Sequence, residues 1–170
     1  AADRRQAALV FDQAKVMAHK DEELQKHLIA HKYCIANPTT NSIYKPLSAE
    51  ASTKHGLNTS LAIIDELHAQ PNAELVEVIQ TSTGARKQPL IIYITTADYC
   101  RESIANDIYD YAKKVRDGIL ADSSFLPVVY EATLEEDWTD PEIWSKANPN
   151  LDVSISKDYL ERECMKAKEN

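Results

Sequence analysis

At 170 residues, 44% of them apolar and 27% charged, the chain is long enough to enclose the core of one domain. Nineteen basic against 27 acidic side chains leave a formal charge of −8, which argues against nucleic-acid binding by the bulk of the surface but not against a local basic patch. No apolar run approaches the roughly 18 residues of a membrane span, no signal peptide is expected because Asp3, Arg4 and Arg5 are already polar, and three widely spaced cysteines (Cys34, Cys100, Cys164) suit a reducing compartment better than a disulfide framework.

In chain order, Ala7, Val10, Ala14, Met17, Leu24 and Leu28 recur at helical spacing and predict one long amphipathic helix from residue 3 to about residue 30, with Asp3 as its cap. Short strands are expected over 33–37 and 42–46, around the turn-forming Asn37-Pro38-Thr39-Thr40-Asn41. His27, His31 and Cys34 have no fourth partner at a metal-binding spacing and read as ordinary polar residues. Residues 47–60 are rich in Ser, Thr and Lys, have no period, and read as a loop with Gly56 near its end. Leu61-Ala62-Ile63-Ile64 is continuously apolar, the pattern of a strand covered on both faces in a parallel sheet.

A short helix is expected over 72–80, with Leu75, Val76, Val78 and Ile79 on its buried side. Leu90-Ile91-Ile92-Tyr93-Ile94 is the next continuous strand and ends at Thr95-Thr96-Ala97. A second amphipathic helix runs from Glu102 to about Asp117 and closes near Gly118, and a third strand is expected over 125–130. This strand, helix, strand, helix, strand order predicts an α/β layered domain, with right-handed crossovers keeping the strands parallel. Residues 131–142 then carry six carboxylates and no basic side chain, anchored by Trp138 and nearby Trp144, and 155–168 read as a final helix.

The chemistry concentrates where the apolar run stops, at Asp65-Glu66. Side chains at the C-terminal end of a parallel strand face the crevice where α/β proteins bind ligands. In an ATP-hydrolysing site the first carboxylate is a hard oxygen ligand for Mg²⁺ and the second takes a proton from the attacking water. Neighbouring strand residues point to opposite faces, so the strand must end between Asp65 and Glu66, with Leu67-His68-Ala69 beginning the turn. A polar pair capping the following helix is the simpler alternative. Thr95 and Thr96 occupy the corresponding tip of the next strand, where hydroxyls bind the attacking water or sense the γ phosphate; β-branched residues finishing a strand are the plainer reading. Arg86 precedes that strand as a guanidinium clamp or a solvated loop residue. Lys54 and His55 stand in the loop before Gly56-Leu57-Asn58. The partner of an Asp-Glu strand end, a Gly-x-x-x-x-Gly-Lys-Ser/Thr loop, is missing: neither Gly56, Gly84 nor Gly118 is followed by Lys-Ser or Lys-Thr.

Taken together and in order, these segments resemble the N-terminal ATPase domain of HK97-like tailed-phage large terminases. The resemblance rests on Gln6-Ala7, Tyr44-Lys45-Pro46-Leu47-Ser48, Gly56-Leu57-Asn58, and Ile63-Ile64-Asp65-Glu66-Leu67-His68-Ala69. It continues through Thr83-Gly84-Ala85-Arg86, Gln88-Pro89 and Ile94-Thr95-Thr96-Ala97. Tyr111-Ala112-Lys113-Lys114, Asp137-Trp138-Thr139-Asp140-Pro141 and Ala147-Asn148-Pro149-Asn150 extend it over nearly the whole chain.

The resemblance implies a P-loop NTPase-like (ASCE) α/β domain with a mostly parallel sheet flanked by helices, here lacking the Walker A strand and loop, which would lie upstream of Ala1. Residues 1–150 would be the partial motor domain and 151–170 a helix leading toward a nuclease domain. Asp65 matches the Walker B aspartate, binding Mg²⁺ and ATP. Glu66 matches the catalytic glutamate, and Thr95, Thr96 and Ala97 match the motif coupling hydrolysis to DNA movement. Arg86 is a candidate essential arginine, acting in cis or in trans. The implied partners are double-stranded phage DNA, the portal protein, the small terminase subunit and other copies of the chain in a ring. The implied location is the bacterial cytoplasm, transiently at the procapsid portal. The chain alone is expected to hydrolyse ATP poorly or not at all, and its incomplete sheet to leave an exposed edge or to self-associate. Two alternatives stay open at this point: a superfamily 2 helicase-like ATPase, whose Asp-Glu-x-His pattern overlaps Asp65-Glu66-Leu67-His68, and a non-catalytic prophage remnant serving in binding or assembly.

Overall fold

The computed structural model describes residues 4–47, 56–99 and 102–169. The Asp3 cap, Lys54, His55 and Cys100 lie outside the described residues. The chain divides into two compact units, Ala1–Asp110 and Tyr111–Asn170.

The first unit opens with helix α1 (Arg4–Lys20), which is shorter than its apolar period predicts. The cause is Asp21, which takes an extended conformation and accepts hydrogen bonds from the backbone N–H groups of Glu23 and Leu24, both at 2.9 Å. A short acidic side chain that satisfies free amide donors starts a new helix rather than continuing the old one. Helix α2 (Glu22–Gln25) is therefore a separate turn, and the chain is already extended in strand β1 (Ile29–Ala30). The buried stripe of α1 also differs from expectation: Phe11 and Ala18 are buried, whereas Met17 is exposed.

Strand β1 pairs antiparallel with β2 (Ile35–Asn37), which pairs antiparallel with β3 (Ser42–Tyr44). Asn37 tightens the second turn by accepting from Thr39 and Thr40, and Asn41 closes it at φ 54°, a left-handed conformation that asparagine tolerates. This small sheet and α1 share a core of Phe11, Ala18 and Ile35, bordered by Ala14, Leu28, Ala30 and Tyr44.

The second sheet is the parallel pair expected from the two apolar runs. Strand β4 (Leu61–Asp65) lies in register with β5 (Leu90–Ile94), Leu61 opposite Leu90 through Asp65 opposite Ile94. A 3₁₀ turn (Leu67–Ala69) and helix α3 (Glu74–Thr81) make the crossover, and helix α4 (Ile104–Arg116) follows β5. Ile64, Leu67, Leu75, Val76, Ile79 and Ala105 form the core, joined by Ala62, Ile91, Tyr93, Ile104 and Ile108.

Two expectations are corrected here. The apolar run 61–64 is not fully covered on both faces: Ile64 is buried and Ala62 and Ile63 are half-buried, but Leu61 is exposed, and along β5 exposed Leu90, Ile92 and Ile94 alternate with half-buried Ile91 and Tyr93. Nor is the sheet mostly parallel among the described residues: a two-stranded parallel pair stands beside a three-stranded antiparallel sheet. Within that description β4 and β5 each have a single neighbour, so each leaves one edge unpaired.

In the second unit α4 ends at Gly118, whose φ of 72° lets the chain reverse. The amides of Gly118 and Ile119 bond back to Val115 and Lys114 carbonyls, satisfying acceptors that the helix end leaves open. The third strand expected over 125–130 does not form; the segment alternates half-buried and exposed residues without a ladder partner. Pro127 lacks the N–H that a ladder requires. Side chains hold the segment instead: Phe125 packs edge-on against Tyr111, and Arg116 donates to Glu131 at 2.6 Å.

The acidic stretch contains a helix that its composition did not suggest, α5 (Pro141–Ala147), capped by Asp140 with Pro141 in its first turn. Its charge is offset from outside the stretch, by Lys146 on Glu136. The Trp144 indole donates to the Trp138 carbonyl at 2.8 Å, so the two tryptophans do anchor one another. Helix α6 (Lys157–Lys168), capped by Ser156, is the expected final helix.

Leu67 is 1% exposed and joins the crossover turn to the core; Leu67→Ala is expected to lower stability by about 2–5 kcal/mol, seen as a reduced urea midpoint. In the second unit, hydrogen bonds from Ser124 and then Tyr111 hold the Asp122 carboxylate below its ordinary value. That stabilisation is present above the unfolded-state value near about 4 and is lost as pH falls through the lower folded value. Acid titration followed by tryptophan fluorescence should therefore show Asp122→Asn losing stability at neutral pH and losing less than the parent on acidification.

Candidate functional site

Because β4 and β5 are parallel and in register, Asp65 and Ile94 end their strands side by side. The residues after them, Glu66 and Thr95, then share one edge of the sheet. Glu66 has φ 52° and ψ 55°, a left-handed conformation that costs a glutamate on the order of 1 kcal/mol or more. The strand therefore stops between the two carboxylates, as the sequence predicts, and Glu66 turns out of the alternation. The bend is held by Ala69 N–H on the Glu66 carbonyl (2.9 Å), Gln70 N–H on the Leu67 carbonyl (3.1 Å), and burial of Leu67.

His68 ties the two strand tips together. Its backbone N–H donates to Thr95 Oγ1 at 3.1 Å, its Nδ1 lies 2.9 Å from the same oxygen, and Nδ1 is 3.3 Å from Glu66 Oε2. Thr95 Oγ1 in turn donates to the Thr96 carbonyl at 3.0 Å. With the Thr95 proton directed to Thr96, Nδ1 meets the lone pairs of a hydroxyl and of an acceptor-only carboxylate. With the Thr95 hydroxyl accepting, the tautomer that fits carries its proton on Nδ1, the side that also faces the Glu66 carboxylate.

The sequence candidates thus separate. Asp65, Glu66, Thr95 and Thr96 gather at one edge. Arg86 does not: its Nε and Nη2 both donate to the Asn58 carbonyl, at 3.2 and 2.8 Å. Asn58 and Arg86 precede β4 and β5, so this clasp sits at the N-terminal ends of both strands. The five residues of β4 separate it from Glu66, about 16 Å at 3.3 Å per residue. Arg86 clamps the loop before β4 and is not within reach of Glu66 in its own chain.

No cluster of three His, Cys, Asp or Glu side chains forms a metal cage among the described residues. A lone carboxylate is nonetheless a fitting Mg²⁺ ligand, because that ion keeps waters and takes phosphate oxygens alongside one or two carboxylates. Asp65 suits the role as a half-buried carboxylate at the strand end.

Sequence reasoning gave no role to His68, although the Asp65-Glu66-Leu67-His68 pattern contained it. It missed Gln70 altogether. Gln70 is 7% exposed, and neither its Nε2 nor its Oε1 finds a hydrogen-bond partner among the described residues. An isolated glutamine after a turn carries no signal of burial.

Comparison with known proteins identifies the group. The model of the family described as "Terminase large subunit, ATPase domain" matches residues 1–114. The chain belongs to that family. It is 34% identical over 172 residues to the terminase large subunit of Enterobacteria phage HK97, covering 98% of this chain and 33% of the relative. It is 34% identical over 118 residues to protein YmfN of Escherichia coli strain K12, covering 68% of this chain and 25% of the relative. The crystal structure of the HK97 bacteriophage large terminase superposes with a TM-score of 0.82 at 31% identity, covering 99% of this chain and 35% of that one. The chain spans about a third of the length of the HK97 terminase and a quarter of YmfN. Its fold is accordingly an α/β ATPase-like fold related to the HK97 terminase, with mixed parallel and antiparallel strands.

An unpartnered buried amide costs about 1–3 kcal/mol, whereas an apolar side chain of similar shape avoids that penalty. Gln70→Met is therefore expected to raise stability by about 1 kcal/mol in a denaturant titration. A fall of that size would mean that the amide is paired in solution.

Proposed function

We propose that this chain is the hydrolytic edge of a phage DNA-packaging motor, a P-loop NTPase-like (ASCE) domain in which ATP hydrolysis drives DNA into a capsid. The observation that carries the reading is the convergence of Asp65, Glu66 and Thr95 at the C-terminal tips of two parallel strands in a member of the terminase ATPase family. Asp65 acts as the Walker B ligand, directing a hard oxygen toward Mg²⁺ and ATP. When bound, Mg²⁺ neutralises charge on the β and γ phosphates. Glu66 accepts a proton from the attacking water, and its departure from the strand supports that role by separating it from Asp65. Thr95, Thr96 and Ala97 form the segment through which hydrolysis reaches the DNA.

Arg86 is committed to Asn58 within its own chain, which favours a trans role over a cis one. Residues 1–150 belong to the motor and 151–170 lead toward a nuclease domain of the whole protein. The fitting partners are double-stranded phage DNA, the portal, the small terminase subunit and further copies in a ring, in the host cytoplasm and at the procapsid portal.

In a full-length subunit that supplies the phosphate-binding loop, Glu66→Gln is expected to reduce Mg²⁺-dependent ATP turnover by about a hundredfold or more, with nucleotide affinity nearly unchanged. The 170-residue chain by itself is expected to turn over little ATP. Equal turnover in parent and variant would remove Glu66 from the chemistry and favour a non-catalytic assembly role.

A further inference from the structure

We propose that His68 is a positioning residue for this hydrolysis, holding the Glu66 carboxylate against Thr95 so that general base and coupling segment move as one. The inference rests on the reading of Glu66 as the base and adds a residue and a constraint to it.

The hydrogen-bond capacity of Thr95 carries the argument. A threonine hydroxyl offers one donor and two acceptor sites. Its donor is directed to the Thr96 carbonyl, and its acceptor sites meet the His68 backbone N–H and Nδ1. All three are occupied, so Thr95 has no site left with which to grip an attacking water or a γ phosphate. It acts as an anchor. What it anchors is the imidazole, whose Nδ1 lies within ion-pair range of Glu66 Oε2, at 3.3 Å.

His68 also reaches Thr95 through two independent atoms, one backbone and one side-chain, 27 residues apart in sequence. The backbone contact locks the 3₁₀ turn to the tip of β5, and the ring contact locks the Glu66 side chain to the same tip. A shift of the Thr95-Thr96-Ala97 segment is thereby passed to Glu66 without any contact to DNA at the reacting centre. Displacing a reacting group by about 1 Å can slow a reaction on the order of a hundredfold, so even a modest shift transmitted this way matters.

The test combines kinetics of the full-length subunit with nitrogen NMR of the chain. His68→Ala should lower kcat by about tenfold or more with KM for ATP nearly unchanged. His68→Asn, whose amide nitrogen approximates Nδ1, should recover most of that loss. Thr95→Val should match His68→Ala, and the double variant should be no slower than either single one, as for groups acting as a unit. In the chain itself, long-range ¹H–¹⁵N spectra should report an Nδ1–H tautomer at His68 that Thr95→Val disperses into a mixture. Multiplying losses in the double variant, His68→Asn as slow as His68→Ala, or an Nε2–H tautomer would overturn the proposal. Turnover lost in Glu66→Gln but untouched in His68→Ala defeats this inference alone. Turnover indifferent to Glu66→Gln defeats the underlying reading and this inference with it.

Discussion

The in-register parallel pairing of β4 with β5 is the constraint on which the candidate site depends. Parallel strands place their C-terminal ends on the same edge, so the residues that follow them are neighbours despite a separation of 29 positions between Glu66 and Thr95. An antiparallel pairing of the same two segments would put Asp65 beside the start of β5 and leave the threonines at the far end. The pairing is held by one packed face: Ala62, Ile64, Ile91 and Tyr93 meet α3 and α4 over fully buried Val76 and Leu67. Burial of such apolar side chains, each contributing about 1.5–3 kcal/mol, is what fixes the register.

The same packing explains how an unfavourable backbone conformation persists at Glu66. Left-handed glutamate is tolerated because Leu67, immediately after it, is inserted in the core, and because the 3₁₀ turn bonds back onto the Glu66 carbonyl. The site is thus over-determined on one side by the core and on the other by the His68–Thr95 pair. At the other end of the sheet Arg86 on Asn58, together with Ser82 on Thr59, fastens the segments that enter β4 and β5. Both ends of the parallel pair are pinned by side chains, which suits an element whose tips must keep a fixed geometry.

Much of this was legible because the signals were local. The apolar runs at 61–64 and 90–94 became strands, the buried face of α3 was the one its period marks, and Gly118 closed α4 as expected. The failures share a cause as well. A helical period carried through Asp21 overlooked a capping carboxylate, and the apolar segment 125–130 read as a strand although it has no ladder partner among the described residues. Continuous apolar character at 61–64 suggested two covered faces, yet Leu61 is exposed; coverage depends on what else packs there, which a run of residues does not state. Helix α5 was hidden by its acidic setting, where Asp140 and Pro141 formed the start signal.

By itself the sequence determined that two strand-like runs end in chemistry-bearing side chains, that Asp65-Glu66 must straddle a strand end, and that the ordered motifs are those of a terminase ATPase. The first two follow from residue type and spacing along the chain; the third rests on the resemblance of those motifs to the family's. Only the tertiary structure decided which candidates meet. It joined Glu66 and Thr95 through His68, sent Arg86 to the opposite end of the sheet, and left Gln70 buried without a partner among the described residues. The reason is geometric: hydrogen bonds of about 3 Å between residues far apart in the chain depend on strand register and turn conformation, and both are set by how the core packs.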